Sequence, residues 1–469
     1  MEEQKYKIGM VGLGVMGRNL VLNIADHGYS VSGYDKDLSK VQQLQIEAGS
    51  RIINAAQSLE GFVRILSSPR IIMMLVPAGQ VVDNVIRDLM PLLEKNDLIV
   101  DAGNSHFKDT DLRSKSLSEK GIRYMGVGIS GGEDGARHGP SLMPGGPKED
   151  YERVRQIFEA IAAYVDGVPC VAYLGPGSAG HYVKMIHNGI EYGLMQVIAE
   201  SYDLMKRGLG LSDEELSVVY SNWNKSELNA YLMEITSHIF TQVDERTGKQ
   251  LINVILDEAR QKGTGMWTSQ DAMDIQVPTP VIDAAVVARN MSALKSEREA
   301  ASKQLKVRTS RFRGDRDVTL NQLKGALYAS MIITFAQGMA LMHTASKVYG
   351  YSLNLEDVAR IWCGGCIIRA TLLEDIRTAY QRHPDLTNLL NDAHLGEEVM
   401  SRQKDLRAII SLTVELGIPV PCLMASIAYF DSYRSAWLPA NLIQAQRDDF
   451  GAHTYERVDT KGVFHTHWE

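Results

Sequence analysis

Short apolar runs, bounded by glycine, acidic or turn residues, alternate with helical spacing through the first 177 residues. Residues 7–11 read as a buried strand, and the segment running to Gly28 has apolar residues at helical spacing. Further strands are predicted at 29–34, 71–76 and 98–102, with a helix over 81–93. Strands alternating with helices predict a doubly wound, Rossmann-like α/β sheet. After Gly175-Pro-Gly177 the strand patterns stop and long helical patterns take over. The reading is therefore three segments: an α/β domain over 1–177, a large all-α domain over 178–438, and a C-terminal tail over 439–469.

One predicted helix, residues 180–207, stands out. It has no proline, and both of its sides are apolar enough for burial. Lys184, His187, Asn188 and Glu191 lie on it at spacings of three, four and seven from the lysine, which puts them on one face. A solvated polar face is the bland alternative. With Val183, Met185, Ile186 and Ile190 beside them, these groups are expected to line a cavity instead. Residues 321–342 align with 184–205 at a constant offset of 137 and share Ala-x-x-x-x-Leu-Met, without the polar stripe. A duplicated helical unit and a chance likeness between two buried helices both fit this.

The chemistry at the N-terminus is more specific. Gly12-Leu13-Gly14-Val15-Met16-Gly17 follows a strand and opens a helix, and the next strand ends at Asp35. That context makes a glycine motif a dinucleotide site, with pyrophosphate at the helix N-terminus. Asp35 suits ribose hydroxyls and repels a 2′-phosphate, which favours NAD over NADP; Lys36 and Lys40 are nearby cations that a phosphate could use. Val76, Pro77, Ala78 and Asn104 sit at strand ends, where such sheets bind ligands. Residues 127–146 hold so many glycines that an irregular anion-binding loop around Ser130, Gly131 and Gly132 is expected. Lys262 and Arg289 supply cations for an anionic substrate.

Composition narrows the class. The chain has 469 residues and a net charge of −8, which argues for more than one domain and against nucleic acid. The start of the sequence lacks leader character, and no apolar run is expected to approach the length of a transmembrane helix, so the cytoplasm is the default. Four cysteines do not suggest a disulfide framework, and Cys363-Gly-Gly-Cys366 lacks a second ligand pair for zinc. The tail mixes glycines, aromatics and charges, unlike a free disordered end, and a partner subunit is a plausible surface for it.

The chain resembles the decarboxylating 6-phosphogluconate dehydrogenases over nearly its whole length. The likeness rests on GLGVMG at 12–17, DAGNS at 101–105, GISGGEDGARHGPSLMPGG at 128–146, GHYVKMIHNGIEYG at 180–193, KGTGMWT at 262–268, IWCGGCIIRA at 361–370 and LPANLIQAQRDDFGAHTYER at 438–457. The resemblance implies Lys184 as general base and Glu191 as the acid that protonates C1 of an enediol. It implies substrate contacts from Asn104, Ser130, Gly131, Gly132, His187 and Asn188, and a phosphate pocket from Tyr192, Lys262 and Arg289. Arg447 and His453 fall on tail residues that reach the other subunit's site, so a homodimer with shared sites is implied, and no metal. Where the family carries Asn-Arg-Thr to hold the NADP 2′-phosphate, this chain has Asp35-Lys36-Asp37, which leans towards NAD or dual use. Pro77 replaces a common lysine, Leu194 a common acid and Cys363 a common arginine. The alternatives are a β-hydroxyacid dehydrogenase acting on a small unphosphorylated acid and a non-catalytic nucleotide sensor.

Overall fold

A computed structural model describes residues 5–307 and 309–468; the first four residues, Arg308 and Glu469 lie outside it. Seven strands form the N-terminal sheet: β1 (Ile8–Val11), β2 (Val31–Tyr34), β3 (Ile53–Ala55), β4 (Ile71–Met74), β5 (Leu98–Asp101), β6 (Arg123–Ser130) and β7 (Ser141–Gly145). Their spatial order is β3-β2-β1-β4-β5-β6-β7. All neighbours pair in parallel except β6 with β7, which run antiparallel. β1, β4 and β5 are buried throughout, which explains why they read as unbroken apolar runs rather than alternating ones. The chain order reverses between β1 and β4, so a crevice opens there at the strand C-termini.

The glycine-rich stretch is a correction. Residues 127–146 form regular structure: the second half of β6, a short helix Gly132–His138, and β7. Many of these glycines serve close packing rather than anion binding. A Cβ on Gly145 would lie 2.2 Å from the Gly180 nitrogen, and one on Gly128 would lie 2.4 Å from the Lys184 Cβ. The two strands are glycine-rich because a helix lies directly on their backbones.

That helix, Ala179–Asp203, is the predicted striped one, slightly shorter than expected because Leu204–Gly208 widen into a π turn. It packs against β6 and β7 on one side. On the other it meets the 33-residue helix Arg316–Val348, the second member of the suspected repeat. Small residues set the contact: a Cβ on Gly193 would fall 2.6 Å from Thr334 Cγ2, and one on Gly338 would fall 2.4 Å from Ile190 Cδ1. The Arg316–Val348 helix corrects a second expectation. It is long and apolar enough to cross a membrane, with a window of mean hydropathy 1.4, yet 94% of that window is buried inside the protein.

Strands also return after residue 177. Tyr455–Glu456 and Val463–Phe464 pair as a small antiparallel hairpin in the tail. All four cysteines are free thiols; Cys363 and Cys366 donate to the Ala359 and Trp362 carbonyls. Among the described residues no cluster of three or more histidine, cysteine or acidic side chains could hold a metal ion.

Glu200, near the end of the Ala179–Asp203 helix, is a buried carboxylate with a structural task. Helix Pro421–Tyr433 has no side-chain cap of its own. Glu200 accepts from its Cys422 and Leu423 N–H groups at 2.8 and 2.9 Å. Burial dominates and raises its pKa to about 7. Below the ordinary glutamate range, folded and unfolded chains both hold the proton. Between there and about 7 the unfolded chain releases it while the folded chain keeps it, so stability falls as pH rises. Thermal unfolding from about pH 5 to about pH 8 is expected to show the wild type losing up to about 3 kcal/mol relative to Glu200→Gln. A constant difference would disprove the assignment.

Candidate active site

The glycine motif turns out of β1 into helix Val15–Asp26. Gly12 has φ +99°, and a Cβ there would meet the Leu75 carbonyl oxygen at 2.4 Å. On Gly17 it would meet the Gly12 oxygen at 2.0 Å, whereas around Gly14 nothing lies within 4 Å. Two glycines are thus consumed by the fold, and the middle one leaves room for a ligand to approach bare backbone. A dinucleotide fits that arrangement. Gly14, Val15, Met16 and Gly17 line one wall of a cavity of about 640 Å³. Val76, Pro77, Ala78 and Asn104 line another, and Lys262 and Trp267 a third. Asn104 is held in place by Asp101, which accepts from the Gly103 N–H at 3.1 Å and the Ser105 hydroxyl at 2.6 Å.

A second hollow lies on the far side of the glycine turn, bounded by Gly12, Tyr34, Asp35, Lys36, Lys40 and Asp88. Asp35 Oδ2 accepts from the Leu13 N–H at 2.8 Å, and Oδ1 from the Asp37 N–H at 2.9 Å. The two lysines are already engaged. Lys36 Nζ is 2.7 Å from Asp88, and Lys40 Nζ is 3.5 Å from Asp35 and 4.0 Å from Asp37.

The stripe lies behind the end of β6. Lys184 is 6% exposed and His187 fully buried. Lys184 Nζ sits 3.5 Å from His187 Nδ1. His187 Nε2 is 3.1 Å from the Ser130 hydroxyl, and its Nδ1 is 3.1 Å from Asn188 Oδ1. Asn188 donates to Thr264 Oγ1 at 3.1 Å, and Ile367 N–H donates to Ser130 Oγ at 3.4 Å. These bonds are consistent with a neutral His187 that donates to Asn188 and accepts from Ser130. Burial, then the nearby Lys184, hold its pKa well below the usual imidazole range. Glu191 Oε2 reaches 3.7 Å from His187 Nδ1 and is 21% exposed.

The electrostatics separate the two titratable ends of the stripe. Burial lowers the Lys184 pKa, with Glu191 and Cys366 opposing it, so a neutral amine is accessible. Burial raises the Glu191 pKa, with Lys184 and Arg289 opposing it, so a protonated carboxyl is accessible. An amine that can accept a proton and an acid that can give one, about two helical turns apart, are the parts of an acid–base pair.

The remaining predicted residues divide into two groups. Arg289 lies on helix Pro280–Ser292 with its guanidinium 3.4 Å from the Tyr192 ring centroid. It also donates to the Arg260 carbonyl, which draws the Lys262 segment alongside. Gly131 and Gly132 make the turn after β6 with φ of +131° and +62°. Arg447 and His453 are not brought to the stripe within one chain. They lie on the tail, where every hydrogen bond of the described residues 440–468 closes on residues 439–468. Sequence reasoning missed Thr264 and Thr268. The first binds Asn188, and the second donates to the Met185 carbonyl at 2.9 Å and packs against Gly189. Their i, i+4 spacing within KGTGMWT was the available signal.

Residues 7–175 match the model of the NAD binding domain of 6-phosphogluconate dehydrogenase, and residues 180–468 match that of the 6-phosphogluconate dehydrogenase C-terminal domain. The chain belongs to the 6-phosphogluconate dehydrogenase family. It is 52% identical over 465 residues to the NADP(+)-dependent, decarboxylating 6-phosphogluconate dehydrogenase of Bacillus subtilis, covering 99% of both chains. It is also 52% identical over 466 residues to the decarboxylating enzyme of Synechococcus elongatus, covering 98% of this chain and 99% of that one. The solved 6-phosphogluconate dehydrogenase of Plasmodium falciparum, studied with NADP+ and with 6-phosphogluconate, superposes with a TM-score of 0.95. It is 41% identical, and the match covers 98% of this chain and all of that one. Of the family departures, Leu194 is buried in the helical core and Pro77 lines both nucleotide hollows.

Proposed function

We propose that the chain catalyses oxidative decarboxylation of 6-phospho-D-gluconate to D-ribulose 5-phosphate and CO2, with reduction of a nicotinamide dinucleotide. The observation that carries this is the Lys184–Glu191 stripe, set beside the nucleotide crevice in a chain that matches family members from end to end. The bound nicotinamide supplies the hydride acceptor for C3. Neutral Lys184 takes the proton of the C3 hydroxyl as the hydride leaves. The resulting ammonium returns a proton to the C3 oxygen while the C1–C2 bond breaks and CO2 departs. Glu191 then gives its proton to C1 of the enediol, and Lys184 recovers the enol proton, leaving the ketone. Proton exchange from Lys184 to Glu191 resets the pair. Ser130, His187 and Asn188 orient the substrate, and Tyr192, Lys262 and Arg289 receive its phosphate. Purified protein with 6-phosphogluconate is expected to release CO2 and reduced nucleotide in equal amounts; reduced nucleotide without CO2 would favour the simple β-hydroxyacid dehydrogenase.

We infer that the cofactor is NAD, or either nucleotide with NAD preferred. A 2′-phosphate at the end of β2 would meet Asp35, Asp37 and Asp88, with Lys36 and Lys40 already paired to them. Solvent screens these charges, but a surplus of negative charge there still disfavours a 2′-phosphate. kcat/KM measured side by side is expected to favour NAD+ about tenfold. A hundredfold preference for NADP+ would defeat the argument.

We further infer a homodimer with shared sites. Two surfaces support it. Leu438, Leu442, Ile443 and Phe450 expose an apolar tail face, and Val287, Met291 and Leu294 expose another around Arg289. Arg447 and His453 would then complete the partner's substrate pocket.

A further inference from the structure

The tail contains a device that its sequence did not announce. Asp448 is fully buried, although most residues around it are exposed. Its Oδ1 accepts from the Thr454 N–H at 2.9 Å and lies 2.9 Å from His465 Nδ1. Its Oδ2 accepts from the Thr466 N–H at 3.0 Å and the Trp468 indole N–H at 2.9 Å. Its backbone carbonyl accepts from the Ala452 N–H at 2.9 Å. One carboxylate therefore ties together the helix Ala440–Gly451, the turn after it and residues 465–468, which follow the last strand.

The turn it holds is strained. Ala452 and Thr454 have φ of +48° and +62°, a region that costs a β-branched threonine most. Both are residues whose N–H groups Asp448 binds. His453 stands between them, its ring edge-on to Phe450 at 5.8 Å. Arg447 precedes Asp448 in the chain, and its guanidinium donates to Gln444, which itself donates to the Thr454 carbonyl. Burial opposes the charged carboxylate, but the donors from Thr466, His465, Trp468 and Thr454 outweigh it and hold its pKa well below the ordinary range.

We propose that Asp448 is a positioning residue: it folds the tail into a preformed hook that presents Arg447 and His453 together to the substrate pocket of a second copy of the chain. This rests on the shared-site reading above and adds to it. A tail that ordered only on docking would lose affinity to ordering entropy, and a preformed one does not. It also places the substrate-binding pair at a fixed separation before the subunits meet.

The test uses the full-length dimer carrying Asp448→Asn, which keeps the size but turns an amide donor towards N–H groups. Sedimentation equilibrium is expected to show an unchanged dimer, and fluorescence titration unchanged binding of reduced nucleotide. KM for 6-phosphogluconate rises, and kcat/KM falls by about 100-fold. A kcat/KM within about threefold of wild type overturns the proposal. Co-expressed heterodimers separate it from the reading beneath it. Lys184→Ala paired with Arg447→Ala leaves one site with an intact body and an intact tail; activity supports shared sites, and its absence overturns both readings. Lys184→Ala paired with Asp448→Asn gives the only working body a wild-type tail. Its KM is expected to be that of wild type, and a KM as high as the Asp448→Asn homodimer's would put the defect in the body and overturn the proposal. Should Asp448→Asn fail to dimerise, Trp468→Phe removes one donor alone: a several-fold rise in KM is expected, and a wild-type KM overturns the proposal.

Discussion

Lys184→Ala is expected to lower kcat by about 10²–10⁴-fold or more while nucleotide binding is retained. The two halves of that expectation have separate causes. The two nucleotide hollows are lined from the ends of β1, β2, β4, β5 and β6, the segments that follow them and Lys262 and Trp267, with no lining residue from the Ala179–Asp203 helix. Lys184, by contrast, is the only amine in the buried stripe, and its neutral form is made accessible by burial. A purely structural lysine would behave differently. Its removal would leave a cavity, lower the melting temperature and disturb nucleotide binding in step with activity. Lys184→Met nearly fills the volume and is expected to be as inactive as the alanine variant. Lys184→Arg keeps the charge but cannot deprotonate at any working pH, so it too is expected to fail. Steady-state assays with fluorescence titration of reduced nucleotide decide this; turnover retained in any of the three would sink the base assignment.

The stripe was legible in the sequence because it depends on one helix. Spacings of three, four and seven fix a face whatever the surroundings, and the run without proline fixed the helix. The presence of β1, β2, β4 and β5 was legible for the same local reason: each is a short, largely apolar run closed by glycine, proline or an acid. What failed was tertiary. Residues 127–146 looked irregular because glycine density normally signals a loop, whereas here it records the approach of a helix backbone to within Cβ distance of two strands. The helix Arg316–Val348 was underestimated as an apolar run because a scattering of polar residues such as Gln337 and Thr334 divides it in sequence. Those groups are buried, Thr334 donating to Ser330 and Gln337 accepting from Val281. Thr264 offered only its spacing to Thr268, since its partner is 76 residues away, and Asp448 offered nothing, since its partners lie 6 to 20 residues on, beyond a strained turn. Asp35 shows the middle case. Its position was predicted from spacing, but the pairing of Lys36 with Asp88, 52 residues on, needed the fold.

Removing residues 440–469 is expected to abolish turnover while leaving the body folded. Arg447 and His453 go with the segment. Charge-assisted contacts to a phosphorylated acid are worth about 1.5–3 kcal/mol each, so on the proposed shared-site reading the loss of the pair is expected to cost roughly 10²–10⁴ in kcat/KM. The body has no comparable stake. Among the described residues, the hydrogen bonds of 440–468 all close within the tail and Pro439, so cutting there leaves no buried polar group of the body unpaired. The melting temperature of the truncated chain and its affinity for reduced nucleotide are therefore expected to match those of the full chain, with sedimentation shifted towards monomer as the apolar tail face is lost. That combination separates the tail's proposed role from general damage. A truncated chain that melts early would show the tail to be part of the body's fold. A truncated monomer with full activity would show each site to be complete within one chain, and would leave Arg447, His453 and the hook built around Asp448 without a catalytic purpose.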